Sequence, residues 1–127
     1  MVQRRYVTPI KDCGLYSVSE VVRKIKEHGG YAVLAHPGEK LRTDNIDTFK
    51  EKVKHAISLG FDGLECYYTT HSREETKICL KLCEEYDLMV TGGTDCHGVF
   101  GYKTRVGALN VRINTLKLKD LLNRCSK

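Results

Sequence analysis

Three short apolar runs, each preceded by a segment of helical period, constrain this chain more than any other feature. The runs are Tyr31-Ala32-Val33-Leu34-Ala35, Asp62-Gly63-Leu64-Glu65-Cys66-Tyr67-Tyr68 and Leu88-Met89-Val90-Thr91. Short, nearly unbroken apolar runs read as strands covered on both faces, as in a parallel sheet. Ser17 with Glu20, and Ser72 with Glu75, have the spacing of helix-starting capping boxes. Val18, Val21, Val22 and Ile25 repeat at helical spacing until Gly29-Gly30 stops them. Ile46, Phe49, Val53, Ala56 and Ile57 predict a second helix over 45–59, closed by Gly60. Ile78, Leu80, Leu82 and Cys83 carry a third helix to about residue 86. Residues 1–16 read as a lead-in arm, 39–44 as polar loop, 106–111 as a fourth strand and 115–125 as a terminal helix. The order α-β-α-β-α-β-β-α implies an α/β fold: a mainly parallel sheet of about four strands with flanking helices.

The chain has 127 residues, so 1–127 is a single domain or part of one. Apolar residues make up 41% and charged residues 29%, the balance of an ordinary globular protein. No apolar run is long enough to span a bilayer, and no apolar stretch follows Met1 as in a secretory signal. The six cysteines form no CxxC pair, which suits reduced thiols in a cytoplasmic protein. The net charge of +5 is compatible with an anionic substrate. The basic residues form no dense stripe with aromatics between them, so a nucleic-acid-binding module is poorly supported, although RNA substrates stay open.

In parallel α/β architecture, active residues collect at the carboxyl ends of strands. Three successive strand exits here carry His36, His71, and the pair Asp95 and His97. That convergence points to a shared metal or phosphate site. Asp95 and His97 follow glycines at 92 and 93, and in extended backbone residues two apart face the same way. A carboxylate with an imidazole suits zinc, manganese or iron. Pro37 stiffens the turn after His36, and Gly38 is expected to let the loop move around a ligand. Glu65 lies inside a strand, where an unpartnered carboxylate would be costly, so it is paired or faces a polar cavity. Tyr67 shares its strand face by the period of two. Lys103 and Arg105 follow the loop that carries Asp95 and His97, and either meet a phosphate or are exposed. His28, at a helix end, and His55, on a helix's solvent side, read as structural.

The blocks Gly29-Gly30-Tyr31-Ala32-Val33-Leu34-Ala35-His36-Pro37-Gly38, Gly60-Phe61-Asp62-Gly63-Leu64-Glu65-Cys66-Tyr67-Tyr68 and Gly92-Gly93-Thr94-Asp95-Cys96-His97-Gly98, in this order, resemble the carboxyl-terminal half of the PHP (polymerase and histidinol phosphatase) phosphoesterases. The likeness covers about residues 6–110 and is nearest to the branch of the nucleoside bisphosphate phosphatase and RNase AM type. It implies part of a distorted β/α barrel and hydrolysis of phosphate esters aided by divalent metal. His36, Asp95 and His97 match metal-binding positions; His71 matches a catalytic histidine near the metals, expected to contact phosphate; Glu65, Tyr67 and Arg105 would support the metals or the substrate. The resemblance also implies manganese, zinc or iron as cofactor, and a phosphorylated small molecule or short nucleic acid as substrate. PHP enzymes open with a His-x-His pair that this sequence lacks. About four strands are too few to close a barrel. The chain is therefore expected to hold metal weakly, to have little activity alone, and to need a missing amino-terminal half or to self-associate. The alternatives are a non-catalytic interaction module of the same fold and a histidinol-phosphatase-like or polymerase-associated segment.

Overall fold

The computed structural model describes residues 14–98, 104–114 and Leu118. Its elements are α1 (Val18–Glu27), β1 (Val33–Leu34), α2 (Pro37–Lys40), α3 (Ile46–Ser58), β2 (Gly63–Tyr68), α4 (Arg73–Glu85) and β3 (Met89–Gly93). Both predicted capping boxes form. Ser17 and Ser72 each accept the amide of the residue three on, while Glu20 and Glu75 reach back to the cap amide. Asn45 caps α3 by accepting the amides of Asp47 and Thr48.

The three strands form one parallel sheet in the order β1-β2-β3. Asp62 ties their amino ends together. It exchanges backbone bonds with Ala32 and Met89, and its carboxylate takes the Ala32 amide at 2.9 Å. Lys26 of α1 pairs with the same carboxylate at 3.0 Å. The core lies between the sheet and the α3–α4 layer, where Phe49, Val53 and Ile57 meet Leu64, Cys66, Cys79, Leu82 and Cys83. Among the described residues Cys66, Cys79 and Cys83 are buried and not in disulfides, and Cys96 is half-buried. Its contact with the Cys83 sulfur, and then burial, push the Cys66 thiol up; burial pushes that of Cys79 up to about 12.

Four expectations change. The sheet has three strands among the described residues, because 106–111 is not a strand: Gly107 adopts φ +76°, which breaks extension, and Val106 is 87% exposed. The Leu88–Thr91 run extends through Gly92 and Gly93, which pair with Tyr67 and Tyr68 instead of turning. The predicted loop after Gly38 begins as a short helix, α2, with Pro37 in its first turn. Gly38 is buried there and is not a loose hinge. The expected arm at 1–16, up to residue 13, and the terminal helix apart from Leu118 lie outside the described residues.

The edge of β1 opens onto two apolar hollows. One, of about 490 Å³, includes Leu34, Leu41, Ala56 and Phe61; the second, of about 560 Å³, includes Tyr16, Val21, Tyr31 and Val33. Val18 borders both and is 52% exposed, so the apolar stripe of α1 is only partly covered. No helix among the described residues is long and apolar enough to cross a membrane.

Phe49 is 1% exposed at the centre of this core. Phe49→Ala should cost about 3–5 kcal/mol of unfolding free energy in urea melts, through lost burial and the remaining cavity.

Candidate metal and phosphate site

The carboxyl ends of all three strands face one mouth. β1 ends just before His36, whose backbone is left-handed at φ 30°, ψ 60°. Such a conformation in a non-glycine residue costs about 1–3 kcal/mol and persists only where neighbours enforce it. Here Glu65 of β2 accepts the His36 amide at 2.8 Å, while the His36 carbonyl accepts the amides of Glu39 and Lys40. Glu65 is thus paired, one of the two outcomes expected for it. Gly93 makes room for this carboxylate, since a Cβ there would lie 2.7 Å from Glu65 Oε1.

Beyond β3, Asp95 also has positive φ, 48°, so Asp95 and His97 are not joined by the expected extended backbone. They meet all the same. The Asp95 carboxylate stands between two imidazoles, with one oxygen 4.0 Å from His36 Nε2 and the other 3.8 Å from His97 Nε2. His97 Nδ1 lies 2.6 Å from the Asp95 carbonyl. A carbonyl only accepts, so in the neutral ring Nδ1 carries the proton and Nε2 keeps its lone pair. His36 Nδ1 is buried with no hydrogen-bond partner. The donor types suit a divalent cation, which at bond lengths near 2.1 Å would set neighbouring donors about 3.4 Å apart. The observed separations are wider, and among the described residues no three donors converge as a metal centre. The arrangement is an open, partial donor set whose chemistry fits a metal.

His71 reaches the mouth differently. Its Nδ1 donates to the Cys66 carbonyl at 3.0 Å, and its Nε2 accepts the Gly38 amide at 3.0 Å. Both nitrogens are spent, so the packing gives the ring no free position for the expected phosphate contact. The pairing of β2 with β3 shifts register between Glu65 and Tyr67. Tyr67, half-buried like Glu65, packs against the core. Tyr68, passed over in the sequence, is the aromatic residue of the site. Its ring centre lies 5.1 Å from that of His36 and 5.5 Å from that of His71. Burial, then a hydrogen bond to Glu39, push the Tyr68 phenol up to about 12, so it stays protonated. Arg105 is exposed in a turn closed by the Ala108 amide, and no ion pair ties it to the mouth among the described residues.

Arg42 and Glu75 were also missed, because neither lies at a strand exit. Arg42 holds the Glu75 carboxylate with two bonds, 2.8 and 3.1 Å, and donates to the Thr70 carbonyl. Burial works to raise the Glu75 carboxyl, but the Arg42 and Ser72 bonds more than reverse it. Its value is held below the ordinary 4.5, so its stabilising effect is fully present above that pH. The effect is lost as pH falls through the lower folded value. Glu75→Gln should therefore cost roughly 1–3 kcal/mol at neutral pH. In chemical denaturation the two proteins should converge in stability at acid pH.

No family model matches the chain. It is similar to a phosphoribosyl 1,2-cyclic phosphate 1,2-diphosphodiesterase from Eggerthella lenta, 35% identical over 97 residues, which cover 76% of this chain and 34% of that protein. It is also similar to the crystal structure of a provisionally named metal-dependent phosphoesterase from Bifidobacterium adolescentis. That match has a TM-score of 0.65 and 29% identity, and covers 85% of this chain and 36% of the other. The chain thus spans about a third of the length of each of these relatives. Both names put the likeness among phosphoesterases, one of them metal-dependent.

Proposed function

We propose that this chain is the carboxyl-terminal portion of a PHP-type metal-dependent phosphoesterase. His36, Asp95 and His97 would be its metal donors, and phosphate esters of nucleotides or short oligonucleotides its substrates. The observation that carries the reading is the Asp95 carboxylate flanked by two imidazole Nε2 atoms at 4.0 and 3.8 Å. The names of both relatives support the reaction class. A divalent cation such as manganese, zinc or iron supplies a Lewis acid that activates water and offsets charge on phosphorus.

The chain's own groups do the rest. Asp95 supplies negative charge. His97 donates Nδ1–H within its own loop and so directs a lone pair outward. Glu65 holds the His36 backbone and Tyr68 packs on its ring. Three donors hold a cation weakly, so little turnover is expected from the chain alone. The partly exposed stripe of α1 and the hollows beside β1 favour a second feature: association, either with a segment that completes the fold or with another copy of the chain.

Calorimetric titration with manganese should show weak binding, reduced at least about tenfold in both His36→Ala and Asp95→Asn. No binding by the unaltered chain would overturn the metal site, and robust hydrolysis of a nucleotide phosphomonoester would overturn the expectation of low activity. Light scattering over a concentration series should give masses above that of the monomer; a constant monomer mass would count against self-association.

A further inference from the structure

We propose that His71 is a positioning residue, a latch that pins α2 and thereby fixes His36 for cation binding. Its effect on metal binding rests on the metal-site reading above; the latch itself does not. α2 has only four residues and directly follows the left-handed His36. A helix that short cannot hold its own geometry. It is fastened at successive points to the exit of β2 and the start of α4. The Gly38 amide donates to His71 Nε2 at 3.0 Å. The Glu39 carboxylate lies by the Tyr68 hydroxyl, and each shifts the other's titration. Arg42, just past α2, grips the Thr70 carbonyl and Glu75.

Of these fastenings, His71 closes directly on the backbone of α2. A carbonyl accepts from Nδ1 and an amide donates to Nε2, so the ring is neutral with its proton on Nδ1. A Cβ on Gly38 would lie 2.5 Å from His71 Cδ2 and 2.8 Å from Nε2. The ring cannot retreat from such a Cβ without giving up a hydrogen bond. Position 38 therefore takes glycine because the latch closes against its backbone. The sequence places His71 with the chemistry; its bonds place it one step behind, acting through α2 on His36.

The test uses the full chain and two variants, His71→Phe and His71→Gln. Phe keeps the bulk and loses both ring nitrogens, whereas the Gln amide oxygen is able to accept from Gly38. Amide exchange by NMR should show Gly38 opening roughly threefold to tenfold faster in the Phe variant. Manganese affinity, followed by broadening of the His36 and His97 ring signals, should fall about tenfold. Gln should return both toward the unaltered values. A Gly38 amide equally slow in the Phe variant would overturn the latch, and a freed amide with unchanged manganese affinity would overturn its positioning role. A Gln variant as defective as Phe would count against it too. If the Phe variant does not fold, Gly38→Ala is judged by the same two readouts. If the unaltered chain binds no manganese, the metal reading falls. The latch is then decided by Gly38 exchange and by the His36 backbone couplings, whose left-handed signature should be lost in the Phe variant.

Discussion

The left-handed turn at His36 is the constraint on which the mouth of this fold depends. A β-branched or aromatic-rich strand has no local reason to end that way, and the conformation is costly for any residue but glycine. It survives because a carboxylate from the neighbouring strand accepts the turn's amide and a short helix behind it is fastened from outside. Each of these contacts is between residues about thirty apart in sequence. The turn is thus a product of the parallel sheet, which sets the end of β1 beside the end of β2. Without that adjacency Glu65 would have no amide to receive and His36 no reason to face Asp95.

The same adjacency sets the electrostatics. Glu65, Glu39 and Asp95 all bear on the Tyr68 phenol, which is also buried and so keeps its proton. A neutral hydroxyl ringed by carboxylates, beside two imidazoles, gives the mouth a negative character in a chain whose total charge is positive. That polarity suits a cation first and an anionic ester only once a cation is present. The overall basic charge bears on long-range encounter, while the local acidity bears on what is held.

Much of this was legible in the sequence. Ser17 and Ser72 announce helix starts because capping is a local matter of three or four residues. The apolar runs announce parallel strands because burial on both faces leaves a compositional mark. His36, Asp95 and His97 are found by their place after strands, and they do approach one another. What could not be read depends on geometry that composition does not encode. The register shift in the β2–β3 pairing between Glu65 and Tyr67 leaves no trace in the residues themselves. α2 is too short to show a period. Val106 to Val111 has strand-like composition, yet a left-handed Gly107 inside it ends the extension. His71 lies at the position the pattern favours, but only its two hydrogen bonds tell that its nitrogens are already taken.

At the opposite end of the sheet, Asp62 stitches β1 and β3 to the start of β2 and is itself anchored by Lys26. The frame is therefore fastened at its foot, far from the histidines. Loops at the rim are therefore able to change while the strands stay in register. Strand register is thus held at the foot by contacts separate from those that hold the His36 turn at the rim.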